Sequence, residues 1–303
     1  MKMDWKGVFP AMVTPFEAGG QLDKAQLTAL INLLEREGVS GLVVGGSTGE
    51  FYSMNVAERI ELFRSVKEHA PTGLTLIAGT SSINHAETLQ LTKEAKSLRY
   101  DGCMVLPPVY CLPTQLEVLD AFTDVASVGL PIMIYNNPGR AGFGFSPDLI
   151  STLSKIENIV AYKESARDLY LISEIFQAAG DRLTLFAGLE PYASSLLSRG
   201  AVGLVSTISN VCAREVVAAY KAFQAKDLAT LAKLQQVIDG MYHLLARTKL
   251  SNYAFAKSAM LALGRPGGMP RRPARAADES GLKEIRAQIE GIYARAGVEL
   301  TRA

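Results

Sequence analysis

The chain has 303 residues, of which 48% are hydrophobic and 20% charged, so it is long enough for one large barrel or two smaller domains. Its formal net charge is only +1, which provides no overall attraction to nucleic acid or to an anionic membrane. Small molecules are therefore the expected partners.

Targeting segments and metal sites are not expected from the sequence. The first six residues are largely polar, and no apolar stretch approaches the roughly 18 residues that a membrane span needs. We therefore expect a cytoplasmic protein with no membrane contact. The three cysteines are odd in number and, like the three histidines, lack metal-ligand spacing, which favours reduced thiols and no metal: Cys103, Cys111, Cys212, His69, His85 and His243.

Short apolar runs alternate with amphipathic segments along most of the chain. The runs predict eight strands, at 8–13, 41–44, 74–78, 102–106, 131–135, 159–163, 183–186 and 202–205. The segments between and after them predict helices at 23–38, 55–70, 85–99, 115–127, 146–153, 168–179, 191–199 and 214–225. This alternation requires a parallel sheet with right-handed crossovers.

A closed barrel fits this pattern better than an open sheet. Eight units in about 225 residues are typical of a (β/α)8 TIM barrel, and no Gly-x-Gly-x-x-Gly follows the first strand as in a dinucleotide-binding sheet. Three more helices, at 228–246, 250–263 and 281–296, predict an α-helical extension. We therefore expect a catalytic barrel over 1–226 and a C-terminal helical extension over 227–303. The Pro- and Gly-rich segment 264–273 is expected to be a solvated basic loop.

Lys163 ends the apolar run of the sixth predicted strand. Lysine is seldom buried, so base rates for this residue alone favour a solvated side chain at the strand end. The alternative is a desolvated amine. Burial favours its neutral form, which is a nucleophile able to form a Schiff base with a carbonyl substrate.

Other chemically suited residues follow the neighbouring strands, and in such a barrel all of them lie on one catalytic face. Gly45-Gly46-Ser47-Thr48-Gly49-Glu50 offers free amides for an anion, and without a Gly-Lys-Ser/Thr ending it suits a carboxylate better than a nucleotide. Tyr110 follows the fourth strand, and Tyr135-Asn136-Asn137-Pro138-Gly139-Arg140 lies at the end of the fifth.

Each of these features has an ordinary structural explanation, such as a turn, a packed aromatic ring or a surface arginine. Together with Lys163 they favour a reaction centre. An amine that attacks a ketone needs proton transfers, which a tyrosine hydroxyl relayed through a second hydroxyl can supply. Amide donors beside that ketone would hold a carboxylate. The combination predicts a 2-oxo acid as substrate.

Three motifs in this order resemble those of the dihydrodipicolinate synthase and N-acetylneuraminate lyase family of class I, Schiff-base lyases. They are the segment 45–50, Tyr-Asn-x-Pro at 135–138 and Tyr-Lys-Glu-Ser at 162–165, and the resemblance runs from about Gly7 to the C-terminal helices.

The resemblance implies a role for each matching residue. Lys163 would form the Schiff base, Tyr135 would transfer protons, Ser47 and Thr48 would bind the substrate carboxylate, and Tyr110 of a neighbouring subunit would complete the hydroxyl relay. Further substrate-binding residues implied are Gly46, Arg140, Gly188 and Val205. The resemblance also implies no cofactor beyond the covalent imine on Lys163, a 2-oxo acid and an aldehyde as substrates, and a homotetramer built from two tight dimers.

Arg140 bears on which reaction of the family the chain performs. Dihydrodipicolinate synthases carry an arginine after Tyr-Asn-x-Pro that receives the carboxylate of aspartate semialdehyde, and a guanidinium fork suits a carboxylate. We therefore expect this lysine-biosynthesis reaction, the condensation of pyruvate with aspartate semialdehyde.

Several departures keep other reactions open. The synthases usually have Thr-Thr at Ser47-Thr48, Tyr-Tyr-Asn at Val109-Tyr110-Cys111 and Gly-Asp-Asp at Gly188-Leu189-Glu190. These changes affect the substrate entrance and the site where lysine inhibits many synthases, so we do not expect such feedback. The alternatives are a catabolic aldolase acting on sugar-acid or N-acetylneuraminate-type 2-oxo acids, or a pyrroline-carboxylate deaminase. A non-catalytic 2-oxo acid sensor is disfavoured because it has no need of a buried amine.

Overall fold

Eight parallel strands form a barrel in the computed structural model, which describes residues 3–301. The strands are β1 (Gly7–Pro10), β2 (Gly41–Val44), β3 (Thr75–Gly79), β4 (Gly102–Val105), β5 (Ile132–Asn136), β6 (Ile159–Glu164), β7 (Thr184–Ala187) and β8 (Gly203–Ser206). Their order is β1-β8-β7-β6-β5-β4-β3-β2. The ring closes between β1 and β2 through the parallel bridge of Ala11 with Val43, where Met12 N donates to Val43 O at 3.0 Å. The predicted (β/α)8 barrel is confirmed.

Helices connect the strands and continue beyond the barrel. They are α1 (Lys24–Arg36), α2 (Val56–His69), α3 (His85–Ser97), α4 (Gln115–Ser127), α5 (Pro138–Ala141), α6 (Pro147–Leu153), α7 (Leu169–Ala179), α8 (Ala193–Leu197), α9 (Ser209–Ala225), α10 (Leu228–Arg247), α11 (Asn252–Ala262) and α12 (Glu279–Ala296). Short 3-10 helices span Phe51–Ser53 and Glu190–Tyr192. Within residues 3–301, none of these helices is long and apolar enough to cross a membrane.

Side chains alternate along each strand between the barrel interior and the layer under the helices. The interior is packed rather than open, and Phe9 and Phe186 meet edge to face there with ring centroids 5.3 Å apart. The interior cluster is Trp5, Phe9, Ala11, Val43, Ile77, Met104, Leu106, Met133, Tyr135, Val160, Ala161, Phe186 and Val205. Because this core fills the barrel, any substrate must bind at its end.

The helices depart from the prediction most clearly at α9 and at α5. Helix α9 begins at Ser209 rather than at 214, but Cys212, with φ −138° and ψ 56°, separates this first turn from the main helix, which starts close to the predicted residue. The buried Asn210 accounts for the early start, because its Nδ2 donates to Ala11 O at 2.9 Å and its Oδ1 accepts from Val13 N at 3.0 Å. The short helix α5 was not predicted, since one turn is too short to have an apolar period.

The segment 264–273 is not a solvated basic loop, so this expectation is wrong for two of its arginines. Arg265 donates to both oxygens of Glu37 at 2.8 and 2.6 Å, and both side chains are buried. Arg271 pairs with Glu58 at 2.6 Å. Composition favours a solvated loop, but it does not show that carboxylates from the first third of the chain meet these arginines.

The three helices after the barrel pack against it and against each other. Helix α9 ends at Lys226, which has φ 59°, and Asp227 caps α10 by accepting from Thr230 N at 3.0 Å. The chain therefore turns at the predicted boundary between barrel and extension. The division into two domains at this point stays a prediction.

Candidate active site

Lys163 and Tyr135 are neighbours on the inner face of the barrel. The register pairs Tyr135 of β5 with Lys163 of β6, and Nζ of Lys163 lies 3.9 Å from the centroid of the Tyr135 ring. Lys163 is only 4% exposed and Tyr135 only 6%. The solvated strand-end reading of Lys163 is therefore wrong. The strand continues one residue beyond it, to Glu164.

Gly188 leaves the space that Lys163 occupies. A Cβ atom at Gly188 would lie 2.9 Å from Cε of Lys163, 2.6 Å from the carbonyl oxygen of Glu164 and 2.0 Å from Oγ of Ser165. The Gly188 amide donates to Glu164 O at 2.7 Å, which holds the end of β7 against β6. Only glycine fits this close approach, so the structure gives Gly188 a packing reason to be next to Lys163.

Glu164 fixes the end of β6 from the side away from Lys163. Its buried carboxylate accepts from Asn136 Nδ2 at 3.0 Å, Tyr162 OH at 2.7 Å and Ala166 N at 2.5 Å. Burial raises the pKa of Glu164, partly offset by these hydrogen bonds. The network joins β5, β6 and the following loop, and so restricts the strand that carries Lys163.

The Tyr135 hydroxyl is held in place by a neighbouring side chain. It accepts a hydrogen bond from Asn137 Nδ2 at 2.8 Å. Burial acts to raise the pKa of Tyr135, but the charge of Lys163, the Asn137 bond and the charge of Arg140 together outweigh burial, and the pKa lies below its ordinary value. A more acidic phenol next to an amine is suited to giving up and regaining a proton.

The segment 45–50 packs closely against the end of β3. Gly45 has φ 66°, and a Cβ at Gly79 would lie 2.7 Å from Gly45 O and 2.8 Å from Gly46 N. Ser47 is half-buried, and Thr48 is buried with its Oγ1 3.0 Å from Oγ1 of Thr207 after β8. The predicted carboxylate-binding pair therefore lies on the same barrel face as Lys163.

Arg140 is exposed at the surface, whereas Val205 is buried in the barrel. Arg140 is exposed on α5, and its charge lowers the pKa of Tyr135. The charge of Arg140 also acts to lower the pKa of Tyr52. Burial of Tyr52 and its hydrogen bond with Tyr253 outweigh this charge, so the pKa of Tyr52 is raised. These effects put Arg140 at the outer edge of the site. Val205 is buried in the barrel interior and lies at its inner end.

Tyr110 is not part of this group in the single chain. It is 89% exposed, and its backbone has the left-handed φ of 75°. Leu112 nearby is 70% exposed with φ 50°. Within residues 3–301 we find no hydrogen bond between Tyr110 and the other predicted site residues. The loop instead presents an aromatic and an aliphatic side chain outward.

Three residues around the site were missed or given no role by the sequence analysis. Asn137 holds Tyr135, and Thr207 contacts Thr48. Glu190 is buried and accepts from Ser206 Oγ, Thr207 N and Ile208 N at 2.8, 2.7 and 2.9 Å, which fixes the loop after β8. The rule that residues after each strand share one face could have found Thr207.

Metal ligands are not gathered here. Over the described residues 3–301, His, Cys, Asp and Glu side chains form no group of three that could hold a metal ion. The groups at this end of the barrel are an amine and a phenol in contact, together with the hydroxyls and backbone amides of the segment 45–50. This set suits covalent and acid-base chemistry on a carbonyl compound.

Comparison with known proteins assigns the chain to a family of enzymes. The model of the dihydrodipicolinate synthetase family matches residues 4–292. An uncharacterized DapA-like lyase of Rhizobium meliloti is 47% identical over 292 residues, covering 96% of this chain and 97% of that one. The 4-hydroxy-tetrahydrodipicolinate synthase of Moorella thermoacetica is 33% identical over 289 residues, covering 95% and 98%.

A solved structure agrees with these sequence matches. It is YagE, a prophage protein of the dihydrodipicolinic acid synthase family from E. coli K12 in complex with pyruvate. Its TM-score is 0.89 at 27% identity, covering 98% of this chain and 100% of that one. The fold and the family matches define a class I lyase, as the sequence predicted. The chain belongs to the dihydrodipicolinate synthetase family.

Titration of Tyr135 tests the electrostatics of the site. With 13Cζ-labelled tyrosine, the NMR resonance of Tyr135 should titrate below the ordinary tyrosine pKa of about 10. Asn137→Ala removes a hydrogen bond that stabilises the phenolate, so the same resonance should then titrate at higher pH. Buried Tyr100, whose pKa is raised well above its ordinary value, is the internal reference that stays protonated. A Tyr135 resonance that titrates above pH 10 in the unmodified chain would contradict a lowered pKa for this hydroxyl.

Proposed function

We propose that Lys163 forms a Schiff base with the keto carbon of pyruvate or a closely related 2-oxo acid. The observation that carries the proposal is the buried Lys163 amine 3.9 Å from the ring centroid of Tyr135. A lysine is costly to bury, and an amine next to an acidified phenol has the two functions that imine formation needs. The pyruvate complex of the related E. coli protein supports the same class of substrate.

The reaction begins with attack of the neutral Lys163 amine on the keto carbon, which forms the C–N bond. The carbonyl oxygen takes up two protons through Tyr135 and the hydroxyl of Ser47, one that Tyr135 carries and one that the attacking nitrogen gives up to Tyr135. It leaves as water when the protonated imine forms, and Tyr135 is then a phenolate. The substrate carboxylate would be held by backbone amides and hydroxyls of Ser47 and Thr48, with Gly46 allowing close approach. Gly188 and Val205 would shape the site around the covalent intermediate.

The imine makes further chemistry possible without a cofactor. Its positive nitrogen accepts electrons when the Tyr135 phenolate takes a proton from the methyl carbon of pyruvate, and the resulting enamine carbon attacks an aldehyde. Protonation of the new alkoxide and hydrolysis of the imine return the free Lys163 amine. The same steps in reverse cleave a carbon-carbon bond, so the mechanism serves a synthase or an aldolase.

We propose aspartate semialdehyde as the aldehyde, which would make the chain a 4-hydroxy-tetrahydrodipicolinate synthase. Arg140 supports this choice, since it is exposed at the outer edge of the site and its charge still reaches Tyr135. The M. thermoacetica synthase supports it by sequence. The imine formed on buried Lys163 would react in the same way with any aldehyde. The choice of aldehyde therefore depends on the residues at the entrance of the site, such as Arg140.

A catabolic 2-oxo acid aldolase or a pyrroline-carboxylate deaminase is the second candidate. The observation that favours it is the orientation of Glu190, which stands where the synthases usually have an aspartate. Its carboxylate is buried against the backbone of Thr207 and Ile208 rather than open to an incoming substrate. The 47% identical relative is a lyase of uncharacterized activity, which is compatible with either candidate.

We also propose that the site is completed in a homotetramer made of two tight dimers. The outward Tyr110 and Leu112 side chains support a second copy of the chain at this loop, because exposed aromatic and aliphatic groups favour burial. Tyr110 would then enter the partner's site and extend the hydroxyl relay. With pyruvate as substrate, we propose the cytoplasm as its compartment.

Covalent trapping tests the Schiff base directly. Pyruvate with borohydride should fix one adduct on Lys163, because reduction makes the imine irreversible, and peptide mass spectrometry locates it. Gly188→Ala should slow trapping on the order of a hundredfold, since the added Cβ displaces Lys163. Gly144→Ala is the matched control, because its Cβ makes only an ordinary contact at 3.7 Å. An adduct that persists in Lys163→Ala would refute the proposal.

Kinetics of Arg140→Ala test the second substrate. Loss of a charged bidentate hydrogen bond should lower kcat/KM for aspartate semialdehyde roughly ten- to a hundredfold, while trapping of pyruvate on Lys163 is retained. The panel should include N-acetylmannosamine, small aldehydes and hydroxyproline-derived pyrrolines. An unchanged kcat/KM for aspartate semialdehyde, or turnover of another panel member alone, would exclude the synthase and leave the Schiff base standing.

A further inference from the structure

Glu50 ends the segment that carries Ser47 and Thr48, and its conformation is unfavourable. It has φ 58°, in the left-handed region, and it is fully buried. For a residue other than glycine this conformation is unfavourable, and burial of a carboxylate is more unfavourable still unless it is paired. Both features persist only where surrounding groups hold the residue in place.

Lys257 of α11 is the partner that holds Glu50. Its ammonium forms an ion pair with Glu50 Oε1, and the side chains of both residues are fully buried. Lys257 also donates to Thr14 O at 2.6 Å and to Met269 O at 2.8 Å. The Lys257 ammonium therefore contacts three separate segments, two of them through hydrogen bonds and the third through its ion pair with Glu50.

Two further hydrogen bonds complete the attachment. The backbone amide of Arg271 donates to Glu50 Oε2 at 2.9 Å. Thr14 Oγ1 donates to Gly49 O at 2.7 Å, so the loop after β1 also holds the segment. The helical extension thus holds the side chain of Glu50, two residues after Thr48.

We propose that Lys257 and Glu50 are positioning residues that hold the amides and hydroxyls of Ser47 and Thr48 where a 2-oxo acid carboxylate binds. The inference rests on the proposed function and adds the reason why the helical extension is needed for it. Neither residue touches the substrate. Their effect is mainly on pyruvate binding and reaches the covalent step only through the Ser47 hydroxyl, because Lys163 and Tyr135 belong to other strands.

A second buried ion pair offers a matched control. Arg265 and Glu37 also join the extension to the barrel, and their side chains are similarly buried. Glu37 follows the end of α1 and precedes β2, so it lies at the opposite end of the barrel from Ser47, which follows β2. Loss of this pair affects attachment of the extension but not the segment 45–50.

The experiment compares Glu50→Gln and Lys257→Met with Glu37→Gln and Arg265→Met. Glu50→Gln is the milder change, because its side-chain oxygen can still accept from Arg271 N. Burial lowers the pKa of Lys257 to about 8. The Lys257 amine can therefore become neutral when residue 50 carries the uncharged amide of Glu50→Gln. For each variant, the pyruvate concentration that gives half-maximal borohydride trapping on Lys163 is measured together with the melting temperature.

We expect Glu50→Gln and Lys257→Met to raise the half-saturating pyruvate concentration on the order of ten- to a hundredfold, since small displacements of binding groups have effects of this size. The trapping rate at saturating pyruvate should fall less than the affinity, because the covalent step depends on the segment 45–50 only through the Ser47 hydroxyl. Glu37→Gln and Arg265→Met should lower the melting temperature without changing half-saturation.

Two results would overturn the inference. One is a folded Glu50→Gln variant that traps pyruvate at the original half-saturation; this variant decides the matter even if Lys257→Met does not fold. The other is an equal rise in half-saturation for the two control variants, which would make the effect one of general stability. Absence of any adduct in the unmodified chain would contradict the proposed function itself, and with it this inference.

Discussion

Burial of the Lys163 amine is the constraint on which the rest of the site depends. An amine inside a barrel loses its hydration. It is retained there only where neighbouring groups interact with it or where it takes part in a reaction. Here the Tyr135 ring lies against it, and Gly188 leaves room for its carbon chain. Because the barrel interior below is filled with apolar side chains, the amine can meet a substrate only at the rim.

Three buried carboxylates hold the loops that form this rim. Glu164 lies behind Lys163, Glu50 lies behind the segment with Thr48, and Glu190 lies behind the loop after β8. All three are at most 3% exposed. Each carboxylate binds groups of another element: Glu164 accepts from Asn136 of β5, Glu50 binds the helical extension, and Glu190 accepts from the loop after β8. Burying a charge rarely adds stability, so their presence is better explained by the geometry they impose on the rim.

The sequence allowed the barrel and most of the rim to be predicted, because both follow from local patterns. Short continuous apolar runs and amphipathic helices of period 3.6 define eight units, and the strand-end rule then places Ser47, Tyr135 and Lys163 on one face. The one-turn helix α5 and the early start of α9 were not predicted. The first is too short for periodicity, and the second depends on Asn210, whose hydrogen bonds reach the loop after β1.

Contacts between distant segments account for the other failures. Nothing near Lys257 or Arg265 in the sequence indicates that Glu50 and Glu37 are their partners, since pairing is set by the packing of the extension on the barrel. The exposed Tyr110 is a related case. Its predicted role needs a second chain, and no local pattern in one chain gives the position of its hydroxyl in an assembly.

A crystal structure of the protein soaked with pyruvate tests the central claim most directly. The account predicts continuous electron density from Nζ of Lys163 to the pyruvate C2 atom, with the carboxylate bound by Ser47 and Thr48 and the Tyr135 hydroxyl near the reacting carbon. Pyruvate bound without a covalent link to Lys163, or bound with its carboxylate away from the segment 45–50, would contradict it.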